Sequence, residues 1–281
     1  MQAGLEDVLD PAIAQARMQL AGEARALAPL AAVGLGQKME VLRDLGRAGG
    51  QRGRPFRAPG QTRRGRGRGH RTPGRALTTD TDGPLGIGAG NANGVVGTIE
   101  VLKGKGPADV EEVTRAQAER LLVMSGKYDE KSAKKKLEET LRSGAALEQA
   151  RKWIEAQGGD SKIVDDYKLL PQPRETIEVR APRSGFITAI DTYQAGMFTV
   201  DLGAGRKKAD DKIDYAAGVM FDRRTGEEVK SGDVIARIQL GQAKRDAAEL
   251  RQRFLAFVKH GDAKPEERQR VHEHLGKLPT R

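Results

Sequence analysis

At Leu170-Pro171-Gln172-Pro173 the hydrophobic period of this chain changes, and that change limits the folds open to it. Two prolines within three residues stop a helix, because proline has no amide donor and disfavours helical backbone just before it. Upstream the apolar residues follow a helical period. Val110, Val113, Leu121 and Leu122 share one side of a segment with Pro107 in its opening turn, and Gly126 ends it. Asp129 is suited to cap the next helix, where Ala133, Leu137 and Leu141 recur every four residues before Gly144. Leu147, Ala150, Trp153 and Ile154 make a third stripe that runs to Gly158-Gly159. Downstream the beat is two. Ile177, Val179 and Ala181 alternate with Glu178 and Arg180, and Val234, Ala236, Ile238 and Leu240 repeat the pattern. Pro182 and a series of glycines divide these short strands, which predicts a compact all-β unit from about 176 to 241. Helices are thus expected first and strands afterwards.

A chain of 281 residues with 37% hydrophobic content and 4% aromatics suits two small domains better than one large core. It has no cysteine, which excludes disulfides, thiolate metal sites and a cysteine nucleophile. Of its four histidines, His272 and His274 lie in a very polar stretch and read as solvated rather than metal-binding. No run approaches the ~20 apolar residues of a membrane span, and the first residues lack a basic region followed by an apolar one, so a cytoplasmic protein without membrane contact is expected.

The formal charge of +10 is concentrated in one place. Residues 51–75 hold nine arginines and no acidic residue, leaving about +1 for the rest. Six glycines and three prolines there leave little apolar surface to offset chain entropy, so the stretch reads as a disordered linker. RNA could be held through its phosphates, but Phe56 is the one aromatic available for stacking, and nucleic-acid binding is not the leading expectation. Before it, residues 5–48 are rich in helix formers, with a break near Gly34 and Gly36 and a short second helix from Met39 to Leu45.

Two motifs fall short of a cofactor. The glycines of GPLGIGAGNANG (83–94) do not have dinucleotide-loop spacing and follow an arginine-rich tract instead of a hydrophobic strand. The form GxxVxxGDxI, from Gly226 through Val229 and Gly232 to Ile235, looks like the hairpin of biotinyl and lipoyl carrier domains. A carrier also needs a modified lysine at a hairpin tip. Lys212 has the Asp-Lys neighbour seen at lipoyl sites, but two further lysines and an arginine crowd it and the rest of the pattern is missing.

Longer strings carry more. RALTTDTDGPLGIGAGNANGVVGTIEVLKGKGPAD (75–109) resembles the TDM-x-x-PLG-x-x-x-GNA segment of the pyrimidine nucleoside phosphorylases, the family that includes thymidine phosphorylase. LEQARKWIEAQGGD, VRAPRSGFITAIDTYQAG, DLGAGRKKADDKIDYAAGV and GEEVKSGDVIARI are similar to further segments of that family, in the same order. The resemblance covers about 76–257. It implies an α+β arrangement: an α/β remnant of the phosphorylase central domain, followed by a β-rich, barrel-sandwich-like C-terminal domain. The expected division is a helical segment at 1–50, the linker at 51–75, a mostly helical part of the α/β domain at 76–172, the β-rich domain at 173–257 and a polar tail at 258–281.

The resemblance also implies a pentosyltransferase activity, in which a pyrimidine nucleoside and inorganic phosphate give free base and a pentose 1-phosphate. Phosphate is then a co-substrate and no other cofactor is expected; a homodimer is implied as well. The family's phosphate loop, Lys-x-Ser-x-Gly-Gly, and its Ser-Gly-Arg-Gly and Thr-Gly-Gly-Thr strings occur nowhere in the 281 residues. LAGEARALAPLAAVGLGQKMEVLRDLG (20–46) looks like a degraded form of the family segment that ends in the base-binding arginine, which places Arg43 at that position, although an ordinary surface arginine is an alternative. No catalytic residue is assigned. Some family members hold a structural monovalent cation through two carbonyls and a glutamate; Leu85 and Gly88 fall on the carbonyl positions, but Gly97 replaces the glutamate, so no metal is expected. The expectation is a truncated phosphorylase-family chain of doubtful activity, with a non-catalytic partner of a complete phosphorylase, or an RNA-binding protein using 51–75, as the alternative.

Overall fold

The computed structural model describes residues 76–80 and 82–275. The helices expected over 5–48, the tract 51–75 and Arg43 lie outside the described residues.

Strands β1 (Ala76–Thr79) and β2 (Gly88–Gly90) precede four helices, α1 (Asn91–Leu102), α2 (Ala108–Met124), α3 (Glu130–Arg142) and α4 (Ala145–Ala156). The last three begin and end on the expected signals. The Asp129 carboxylate accepts the Ser132 amide at 2.7 Å, and the Asp129 amide donates to the Ser132 hydroxyl at 3.0 Å, a reciprocal cap. Gly126, Gly144 and Gly158 adopt φ of 75°, 74° and 80°, the left-handed geometry that closes helices cheaply only with glycine. Leu102, Leu122, Ala133, Leu137 and Ala150 bury the inner faces of the bundle.

Helix α1 had no clear signal. NANGVVGTIEVL contains two glycines and five β-branched residues, a poor helix former by composition. Tertiary packing overrides that weakness. Ile99, Val101 and Leu102 are buried at its C-terminal end, and Tyr167 is tied to it, donating to Glu100 and accepting from Lys103 Nζ at 3.0 Å. Burial, reinforced by the bond to Glu100, raises the Tyr167 pKa well above the usual phenol range.

Two short 3-10 turns, Ser161–Val164 and Tyr167–Leu169, lead to Pro171, after which strands dominate. In order these are β3 (Glu175–Arg180), β4 (Gly185–Ile190), β5 (Gly218–Phe221), β6 (Glu228–Val229), β7 (Val234–Leu240), β8 (Val258–Gly261) and β9 (Val271–Leu275). The unit is not all-β. Helix α5 (Thr192–Thr199) interrupts it, capped by Asp191 and continued by a π-type turn through Ala204, and α6 (Ala247–Ala256) follows β7. Residues 192–199 read as loop between strands because Gly196 and the flanking threonines mask the helical placement of Ala195 and Phe198, both buried.

The sheets are ordered β2-β5-β7-β3, β6-β4-β8 and β1-β9, every pairing antiparallel and none closed among the described residues. The mixed α and β composition agrees with the expected class, and the strands form several small open sheets. At one corner the expected GxxVxxGDxI hairpin does not form a pair of adjacent strands. Val229 and Ile235 are both buried, yet β6 pairs with β4 while β7 pairs with β3 and β5, so the turn carries the chain from one sheet to another. Gly232 at φ 88° and the Asp233 carboxylate, which accepts the Lys230 amide at 3.0 Å, make that turn tight. Expected alternation holds in the central pair, where Ile177 faces Ile238 and Val179 faces Ala236 in register. The core between the two larger sheets centres on Phe254, whose ring lies 4.8 Å from Phe257 and 6.2 Å from both Phe198 and Phe221.

Candidate functional site

The glycine-rich segment joins the helices to the sheets, and its glycines are explained by contact distance. β2 lies against β5 so closely that a Cβ on Gly218 would sit 2.6 Å from the Ala89 carbonyl oxygen, and one on Gly90 would sit 2.8 Å from the Ala217 carbonyl. Behind this contact Asn93 Nδ2 donates to Gln239 Oε1 at 2.8 Å, and Asn91 Nδ2 donates to the Ala204 carbonyl at 2.8 Å. The Ala92 amide, in the first turn of α1, donates to the Tyr215 carbonyl at 3.2 Å. The helix start is thus anchored to protein groups, and the run GAGNAN works as a packing joint.

Just before it, Gly83, Pro84 and Gly86 form one wall of a cleft of about 400 Å3. Gly86, at φ 76°, donates its amide to Asp109 Oδ2 at 3.1 Å. The other oxygen of Asp109 accepts the Val110 amide at 2.9 Å and Arg224 Nη1 at 3.3 Å. Asp109 therefore binds the loop, the acidic first turn of α2 and the β5–β6 connection into one unit, a favourable place for a carboxylate. Ile190 and Phe221 supply apolar lining, and residues 264–268 with Arg270 close the opposite side. The arginines of this cleft are engaged by Asp80, Asp82 and Asp109, so it presents paired charges.

The positions singled out from sequence do not converge there. Leu85 lies within the loop and Gly88 opens β2 just after it, whereas Gly97 is in the middle of α1, where an added Cβ would meet nothing within 4 Å. Lys212 is exposed in the connection before β5, away from the β6–β7 turn, which removes the hairpin-tip placement a carrier lysine needs. Among the described residues no three histidine or carboxylate side chains gather as a metal site would require. Elsewhere Asp201 pairs with two cations, Lys207 at 2.6 Å and Arg253 at 2.5 Å; Lys207 first, then Arg253, hold its pKa below the usual range against the opposing effect of burial. This cluster ties the turn that continues α5 to Arg253 of α6.

His260 on β8 was not singled out. Its ring nitrogen Nε2 is buried without a partner, and burial, aided by the nearby Arg183 charge, lowers its pKa below the ordinary 6.5. The neutral ring is therefore the folded form. Stability is complete above the unfolded value near 6.5 and is lost as pH falls through the folded pKa, because the unfolded chain binds the proton more readily. His260→Gln is expected to weaken the fall in urea midpoint between pH 7 and pH 5 relative to wild type. Equal slopes in the two proteins would show that the ring does not contribute.

Residues 186–253 match the pyrimidine nucleoside phosphorylase C-terminal domain. The chain is 38% identical over 159 residues to the pyrimidine-nucleoside phosphorylase of Bacillus subtilis (strain 168), an alignment covering 56% of this chain and 37% of that protein. It is 35% identical over 164 residues to the pyrimidine-nucleoside phosphorylase of Staphylococcus aureus (strain USA300), covering 58% and 38%. The chain thus spans somewhat more than a third of the length of these curated relatives.

Proposed function

We propose, from the premise that the C-terminal part of this chain belongs to the pyrimidine nucleoside phosphorylase family, that the protein is the supporting body of a phosphorylase and has no turnover by itself. The observation that carries this reading is the pairing of a family-like C-terminal region with the absence of the family's phosphate-loop and signature strings from the 281 residues. In the reaction of the family, a phosphate oxygen bonds to the anomeric carbon of the pentose as the carbon–nitrogen bond to the pyrimidine breaks. The departing base takes the electron pair and is stabilised by positive groups on its carbonyls. Such chemistry needs donors fixed around phosphate and base and a site closed to water. The described residues offer instead a packing joint, paired ions and buried apolar faces. Arg43 is the single base-binding position the resemblance assigns, and one guanidinium does not orient two substrates.

Inorganic phosphate would be the co-substrate, and a homodimer is the assembly this reading implies. No helix among the described residues is long and apolar enough to cross a membrane. Purified chain incubated with thymidine or uridine and phosphate is expected to release no free base above the protein-free control. Turnover in the ordinary enzymatic range of about 1–1000 per second would overturn the reading.

A second reading, a non-catalytic RNA-binding descendant, is favoured by the nine arginines without an acidic residue in 51–75. Its mark would be salt-sensitive RNA binding that disappears when 51–75 is deleted. Binding that survives the deletion would remove its basis.

A further inference from the structure

Strands β1 and β9 form a two-stranded ribbon that belongs to neither larger sheet. A pair of strands alone is marginally stable in water, so something else must hold this one in place. Apolar packing is not that agent for the approach to β9, since residues 259–272 contribute none of the buried hydrophobic core. The links are polar. Asp80, immediately after β1 and only 7% exposed, donates its amide to the Arg270 carbonyl at 2.9 Å. Its carboxylate accepts the Asp82 amide at 2.9 Å and faces Arg270 Nη1 at 3.4 Å and Arg268 Nη1 at 4.0 Å. Arg268 reaches on to Asp82 at 3.0 Å. The same segment, through Lys264, Glu267, Arg268 and Arg270, walls the 400 Å3 cleft opposite Pro84 and Arg224.

We propose that residues 262–275 are a strap closed over this cleft by the Asp80–Arg268–Arg270 clamp, able to open while both larger sheets stay folded. The two contacts differ in kind. Asp82 and Arg268 are well exposed, so salt screens their attraction, whereas Asp80 and Arg270 are mostly buried and feel it less. Removing the Asp80 charge leaves two arginines facing each other without their shared counterion, which favours the open form. The strap differs from a frayed end because opening it uncovers a cleft whose other three walls are fixed by the Asp109 contacts.

The test is hydrogen exchange along the full chain with tryptic cleavage after Arg268 and Arg270, in wild type, Asp80→Asn and Arg268→Gln. Asp80→Asn is expected to speed exchange over 264–272 and cleavage at both arginines by about tenfold or more, with β5 and β7 as protected as before. Arg268→Gln, cut after Arg270 alone, and 0.5 M sodium chloride should each give a smaller change in the same direction. Unchanged rates in Asp80→Asn would overturn the proposal. So would loss of protection in β5 and β7 in step with 264–272, because the clamp would then belong to the global fold.

Discussion

Phe254→Ala is expected to remove about 3–5 kcal/mol of stability, the range for emptying an aromatic site in a packed core. Phe254 is 1% exposed and stands where α6 meets the sheets, with the rings of Phe198, Phe221 and Phe257 around it. Those three come from α5, β5 and the end of α6, so one deletion loosens three elements that sequence separation keeps apart. Leu250 and Leu240 next to the same core are equally buried and cannot fill the space without leaving their own positions. Total stability of a domain is typically about 5–15 kcal/mol, so the variant should be largely unfolded near 37 °C if this core is at the lower end. The measurement is the urea midpoint at constant slope; a loss below about 1 kcal/mol would mean that the aromatic cluster does not hold the sheets together.

Gly218→Ala is the second large effect, and its cause is a backbone collision. The new Cβ would lie 2.6 Å from the Ala89 carbonyl oxygen and 3.1 Å from the Gly90 Cα, groups that cannot rotate away. β2 must then separate from β5, which also strains the Asn93–Gln239 hydrogen bond beneath them. A cost of about 1–3 kcal/mol is expected, as for overpacking elsewhere, with the m-value unchanged. Gly97→Ala is the matched comparison. Its Cβ enters open space on a helix interior, so the substitution should stabilise by up to about 1 kcal/mol through helix propensity. If both substitutions shifted stability equally, glycine content and not the close approach at residue 218 would be the relevant property.

These two sites mark different degrees of legibility. The ends of α2, α3 and α4 could be placed because the agents are local: Pro107, the Asp129–Ser132 cap and glycines with left-handed backbone act within a few residues of themselves. The alternation of Ile177 and Val179 likewise survives in β3, since its pleat puts every second side chain in the core. Helices α1 and α5 were not legible, as their glycines and β-branched residues argue against helix and the contacts that overrule them come from far along the chain, Tyr167 reaching Glu100 and Phe254 reaching Phe198. The part of the candidate site that depends on Asp80 and Asp109 was also hidden, because their partners Arg270 and Arg224 lie 190 and 115 positions away in sequence.

By itself the amino-acid order determined the boundaries of α2, α3 and α4, the switch to strands after Pro173 and the likeness to a phosphorylase C-terminal region, all of which depend on spacing and local chemistry. Only the tertiary structure decided that β2 completes the sheet of β5, β7 and β3, that the β6–β7 turn passes between sheets, and that 262–275 returns to the first strand. The physical reason is range: capping, turn geometry and periodic burial act over a few residues, whereas pairing partners and ion clamps are chosen by which surfaces meet once the chain has collapsed.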